Sequence, residues 1–163
     1  KKCLSRNYKY LFNLISRTLK TKIKFFKNDI YENSKRLNLN FGHTFAHAIE
    51  MTIKSKKEDI IRHGEAVGIG MLCEIFYFEG KSKNFIFVEN LLQKYNLPTN
   101  LKKFTSHKNK KRFLRQIYKN IFLDKKRIGK HPRCIKIIKI GKSKVIEMKD
   151  TKRIKNTINS VLF

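Results

Sequence analysis

Long apolar runs are missing from this 163-residue sequence. No stretch approaches the roughly 18 uninterrupted apolar residues of a membrane-spanning helix, because Glu or Lys interrupts every candidate within a few positions. Cysteine is scarce as well. Cys3, Cys73 and Cys134 are odd in number and widely spaced, with no CxxC and no apolar leader segment near the start. That pattern argues against a secreted disulfide scaffold and for a reducing cytoplasm. Two prolines and seven glycines are too few for collagen-like or low-complexity chains, and no Gly/Pro/Ser linker or internal repeat divides the sequence. One domain over residues 1–163 is therefore expected, and a chain of this length buries roughly two thirds of its unfolded surface without staples. The first residue is Lys1 rather than a methionine, so a piece of a longer protein is expected.

Acidic residues are also few. Twelve Asp+Glu against 39 Lys+Arg leave a formal charge of +27. A basic chain raises nucleic-acid binding, since each phosphate neutralised by Lys or Arg releases a counterion. The lysines, however, are spread along the whole chain among Ile, Asn, Phe and Tyr, and no run of five or six like charges marks a basic arm. A lysine-rich solvated surface, of the kind A/T-rich codons supply, is the plainer reading. A basic helical nucleic-acid-binding module without enzymatic activity is the alternative. Either way the positive potential favours anionic ligands.

The apolar pattern predicts a mainly α domain. Leu11, Phe12, Ile15, Leu19, Ile23 and Phe26 are spaced three and four apart, which fits an amphipathic helix over 8–27. Further helices are expected over 43–54, 84–95 and 113–122, and a nearly all-apolar buried one over 66–78. SKKEDIIRHGE (55–65) reads as a polar loop. Gly64, Gly68 and Gly70 lie in or beside the buried helix. Each costs about 1 kcal/mol relative to Ala in a helix, so close approach to another backbone is expected. Gly68-Ile69-Gly70 follows no predicted strand and lacks a third glycine at the right offset, so it is not a dinucleotide fingerprint. Asn96 and Pro98 end the 84–95 helix. After Pro132, CIKIIKI and KVIEM around Gly141 predict a small C-terminal β-hairpin.

Three of the five histidines, His43, His47 and His63, fall within 21 residues. His43 and His47 are four apart, which on a helix puts both imidazoles on one face, able to reach one metal or one substrate. His63 stands at the start of the buried helix, where unpaired N–H groups favour an anion. Three imidazoles with an open position would describe a catalytic zinc site, while the plain alternative is an exposed or internally satisfied pair. Asp29, Glu32, Lys35, Arg36, Asn40 and Glu50 add acids, bases and anion binders in the same region. An Arg fork with an Asn amide suits a phosphorylated or carboxylated ligand, and a Glu beside a metal-held hydroxyl can move protons.

LNFGHTFAHAIE (39–50) followed by HGEAVGIGM (63–71) resembles the signature of the 3-dehydroquinate synthase family of sugar-phosphate cyclases. Lys22 with Asp29, Glu32 and Arg36 resembles the family's approach to that signature, LLQKYNLP (91–98) its helix ending in GLP, and DKK (124–126) with IGKSKV (140–145) its C-terminal stretch. The resemblance implies the α-helical C-terminal domain of that fold. The implied activity is conversion of 3-deoxy-D-arabino-heptulosonate 7-phosphate to 3-dehydroquinate and phosphate in the shikimate pathway of aromatic amino acid biosynthesis. It further implies NAD, used and regenerated in each turnover, and Zn2+ or Co2+ bound by a Glu and two His. Carried over by position, His43 and His63 are the metal ligands, whereas spacing alone would have made His47 one. Lys22, Arg36, Asn40, His43, His63 and Lys126, preferred over Lys125, are implied to bind the phosphorylated sugar acid. Glu32 and His47 are implied to transfer protons. The family's N-terminal NAD-binding domain and the E-x-x-K segment that supplies the third metal ligand have no counterpart in this sequence. Alone, the chain is therefore expected to be inactive, and when complete, a cytoplasmic homodimer without membrane or nucleic-acid partners.

Overall fold

A computed structural model describes residues 7–27, 29–53, 60–105, 110–123, 131–139 and 141–163. The described residues are mainly α-helical with one two-stranded antiparallel hairpin, as expected. It divides into two compact units, Lys1–Leu39 and Asn40–Phe163. Among the described residues no helix is long and apolar enough to cross a membrane.

In the first unit, α1 runs over Tyr8–Phe26, matching the spacing of its apolar residues. The side chain of Asn7 accepts from Tyr10 N to cap it, and Lys27 N–H donates to Ile23 O at its end. None of its residues is buried; Phe12, Ile15, Leu19 and Ile23 of the apolar stripe remain exposed. A tight turn follows, leading into a 3-10 helix over Lys35–Asn40.

In the second unit the helices are α2 (His43–Ile53), α3 (His63–Glu79), α4 (Lys83–Lys94), α5 (Lys110–Ile121) and α6 (Thr151–Val161), with β1 (Arg133–Lys139) and β2 (Lys142–Glu147) between α5 and α6. The central element is α3, which packs against α2, α4, α6 and β1. Its apolar residues point in all directions because it has neighbours in all directions: Ala66, Ile69, Leu72, Cys73 and Ile75 are buried. Phe45, Ile49, Ile117, Ile121, Ile154, Ile158 and Leu162 complete the core from the surrounding helices and the C-terminal end. Cys73 and Cys134 are free, buried thiols whose pKa is pushed up by loss of solvent, which leaves them inert. Cys3 lies outside the described residues.

Several boundaries differ from the sequence expectation. The buried helix starts at His63 rather than Ala66, because the Glu65 carboxylate accepts from Arg62 N at 2.8 Å and closes the first turn at a position where periodicity is silent. Of the three glycines, Gly70 and Gly68 do meet close neighbours, whereas a Cβ on Gly64 would meet nothing within 4 Å. The α5 helix begins at Lys110, three residues before the first apolar position that signalled it. The hairpin forms as expected, with Gly141 at φ +81° and an irregularity between Ile137 and Lys139. Asn96 adopts the left-handed conformation (φ +57°) and Leu97 N–H returns to Leu92 O, ending α4 as its sequence implied. Sequence pattern had assigned nothing to 151–161, where α6 is capped by Asp150 accepting from Arg153 N at 2.9 Å. Lys54 and residues 55–59 of the expected loop lie outside the described residues.

Candidate active site

In the first unit, Asp29 organises the turn that carries two of the expected site residues. Its carboxylate accepts from the backbone N–H groups of Asn33, Ser34 and Arg36 at 2.8 to 2.9 Å. Desolvation pushes this carboxyl up, but those donors outweigh it and hold its pKa down at about 2. The turn forces Glu32 to φ +57°, a conformation that β-carbon crowding makes costly outside glycine, and such outliers concentrate at functional sites. Glu32 and Arg36 lie 3.8 Å apart as an ion pair, while Arg36 Nη1 donates to Ile30 O. The guanidinium of Arg36 and the ammonium of Lys22 both lie against the ring of Phe26, at 3.8 and 5.8 Å from its centre. Lys22, Glu32 and Arg36 thus form one cluster.

The second unit gathers the histidines. His43 opens α2, His47 follows one turn on, and His63 opens α3. Ring centres are 5.7 Å apart for His43 and His47, 5.3 Å for His43 and His63, and 6.3 Å for His47 and His63. Two imidazoles sharing one tetrahedral metal at about 2.0–2.1 Å per nitrogen have ring centres about 5 Å apart, so the His43–His63 pair has the right separation. Nδ1 of His43 lies 3.3 Å from Phe41 O, and Nδ1 of His63 lies 3.0 Å from Glu50 Oε1. An acceptor at Nδ1 selects the tautomer with its proton there and leaves Nε2 as the lone-pair nitrogen, the form a ligand requires. Burial pushes the His43 pKa down, backbone acceptors at Phe41 and Asn40 oppose this, and the neighbouring His47 and His63 add to the lowering. The neutral imidazole that metal ligation needs is thereby favoured. Among the described residues no three His, Cys, Asp or Glu side chains close a metal shell by themselves. The donor set fits a metal bound partly from this chain.

What holds the two helix starts together is a backbone contact. A Cβ on Gly70 would lie 2.0 Å from Gly42 O, and one on Gly42, at φ +83°, would lie 2.6 Å from Val67 O. Only two glycines let α2 begin directly against the middle of α3. Beneath this contact sits Glu74, with no solvent exposure; its Oε2 accepts from Ile135 N at 2.7 Å, while its Oε1 is buried without a hydrogen-bond partner. Burial pushes its pKa up to about 8 despite the Ile135 donor. The carboxyl thus ties α3 to β1, and Thr44 Oγ1 donating to Arg133 O ties the start of α2 to the same strand. Asn40 stands at the end of the 3-10 helix, three residues before His43. Lys126 lies outside the described residues.

A family model described as the 3-dehydroquinate synthase C-terminal domain matches residues 1–127. The chain belongs to the 3-dehydroquinate synthase family. Among its relatives, the 3-dehydroquinate synthase of Sulfurimonas denitrificans is 36% identical over 152 residues, covering 89% of this chain and 40% of that protein. Those of Chlorobaculum parvum (34% over 139 residues, 81% of this chain, 36% of the relative) and Thermodesulfovibrio yellowstonii (32% over 163 residues, 95% and 42%) are similar over most of its length. The chain thus spans about two fifths of the length of these synthases. For a member of this family, the sequence signature located the histidines, but it did not single out Glu74 or foresee that Glu50 would meet His63. A lone acid inside the apolar run 66–78 was the available signal for Glu74.

Proposed function

We propose that this chain is the metal- and substrate-binding part of a 3-dehydroquinate synthase, a phosphate-eliminating lyase that converts 3-deoxy-D-arabino-heptulosonate 7-phosphate to 3-dehydroquinate. Family membership supports the reaction. The observation that carries the site is the convergence of the His43 and His63 rings to 5.3 Å with both Nδ1 atoms held by acceptors. In this reading His43 and His63 offer Nε2 to Zn2+ or Co2+, and a carboxylate outside this sequence completes the shell. Such a metal would supply Lewis acidity that lowers the pKa of the substrate hydroxyl, and NAD would supply the hydride acceptor.

The chain's own residues bind, orient and move protons. Lys22 and Arg36, already gathered on one aromatic ring, supply two cations for the phosphate and carboxylate of the substrate, with Asn40 and Lys126 as further donors. Glu32 and His47 transfer protons, Glu32 from a carboxylate held beside Arg36 and His47 from a ring adjacent to both ligands. Without the NAD domain and third ligand the isolated chain is inactive, and the complete protein works as a homodimer in the cytoplasm. No observation favours the nucleic-acid-binding alternative.

The test is phosphate release from the heptulosonate phosphate by the complete protein loaded with zinc and NAD. His43→Ala and His63→Ala lose zinc, whereas His47→Ala keeps it and loses rate. Absence of phosphate release by the loaded parent protein refutes the reaction; equal zinc loss in all three variants refutes the ligand assignment and returns His47 to the metal.

A further inference from the structure

His63 is the less sheltered of the two proposed ligands. Its side chain is 57% exposed, against 28% for Glu50, so solvent leaves the ring free to turn unless something holds it. What holds it is the 3.0 Å bond from Nδ1 to Glu50 Oε1. Glu50 lies seven residues beyond His43, two turns further along the same helix, so both residues belong to one rigid element. We infer that Glu50 is a positioning residue: from α2 it fixes the tautomer and the orientation of His63 at the start of α3, so that Nε2 of His63 is aligned with His43. A single helix then sets the geometry of a site drawn from two.

A largely solvent-exposed polar contact of this kind contributes little to fold stability. A carboxylate on the far nitrogen of a metal-bound imidazole, by contrast, is worth about 10- to 100-fold in metal affinity. The inference rests on the metal reading proposed above, and two measurements separate them. The first needs no metal. In the metal-free complete protein at about pH 8.5, above the ordinary imidazole range, 15N NMR of the ring nitrogens should find His63 with its proton on Nδ1. Glu50→Ala should move that proton toward Nε2. A parent His63 already protonated on Nε2, or an unchanged tautomer in the variant, overturns the inference whatever the metal does.

The second is Zn2+ affinity by competition with a chelator. Glu50→Ala should weaken zinc binding about 10- to 100-fold while the melting temperature of the metal-free protein stays that of the parent. Glu50→Gln, whose amide oxygen still accepts from Nδ1–H, should recover most of the affinity. Parent-like zinc binding by Glu50→Ala beside a zinc-deficient His43→Ala overturns the role of Glu50 and leaves the metal reading standing. Glu50→Gln falling as far as Glu50→Ala makes the carboxylate itself a ligand and also overturns it. A His43→Ala variant that binds zinc like the parent removes the metal reading, while the tautomer measurement still decides whether Glu50 orients His63.

Discussion

Replacing Gly70 by Ala tests the claim that the site is built on a backbone contact. Alanine is the better helix former by about 1 kcal/mol, so propensity alone predicts stabilisation. The new Cβ, however, would stand 2.0 Å from Gly42 O, 2.9 Å from Gly42 C and 3.1 Å from Ala46 N, all backbone atoms of the α2 start. None can rotate away, so the first turn of α2 must retreat from α3 by more than an ångström to restore ordinary contact. Overpacking of this kind costs about 1–3 kcal/mol, which offsets or outweighs the propensity gain and leaves a net loss of about 0–2 kcal/mol. Two other glycines of α3 serve as controls. At Gly68 the Cβ meets only Leu92 Cδ2 at 3.1 Å, a side-chain end that can turn, so the change should be close to neutral. At Gly64 it meets nothing, and Ala should stabilise by about 0.4–1 kcal/mol through the unfolded chain. Urea unfolding followed by far-UV circular dichroism ranks the three variants, and zinc affinity reads the site. Because Gly42 adjoins His43, Gly70→Ala should also weaken zinc binding while the other two leave it intact. A Gly70→Ala protein as stable as Gly64→Ala, with unchanged zinc affinity, would refute the backbone-contact account.

Glu74 predicts a pH dependence. Its folded pKa of about 8 lies above the ordinary 4.5, so its contribution is fully present below about pH 4.5 and is lost as pH rises toward 8. Glu74→Gln should flatten the fall in melting temperature between pH 5 and 8, and an identical slope in parent and variant would contradict the assignment. Asp29 behaves oppositely: with its pKa lowered from 3.8 to about 2, its contribution is present above about pH 3.8 and lost as pH falls through 2. An NMR titration of its carboxyl carbon with a midpoint at or above 3.8 would remove the three-donor turn as the cause. At Glu32, glycine relieves the φ +57° backbone, so Glu32→Gly should stabilise by about 1 kcal/mol while the proposed reaction slows. A less stable variant would show that the pair with Arg36 outweighs the backbone cost.

The helices whose apolar residues recur every three or four positions, α1, α2 and α4, were readable directly, because an amphipathic helix shows in its own spacing even where, as in α1, the stripe is exposed. The α3 helix was readable as apolar on all sides, though its capped first turn was not, since Arg62, His63 and Glu65 carry no apolar signal. The lysine-rich α6 escaped notice although Ile154, Ile158 and Val161 follow the same spacing. The LNFGHTFAHAIE and HGEAVGIGM strings likewise carried family and candidate chemistry, because residues on one helix turn are neighbours whatever the rest of the chain does. What they could not carry is everything that depends on two separate segments meeting. That the first turn of α2 rests against Gly70, that Glu74 lies beneath it bonded to β1, that Lys22 and Arg36 share the ring of Phe26, and that Glu50 rather than solvent faces Nδ1 of His63 were decided by packing. Spacing along the chain specifies which side chains share a face; only close-packing of one face on another specifies which atoms end up within bonding distance.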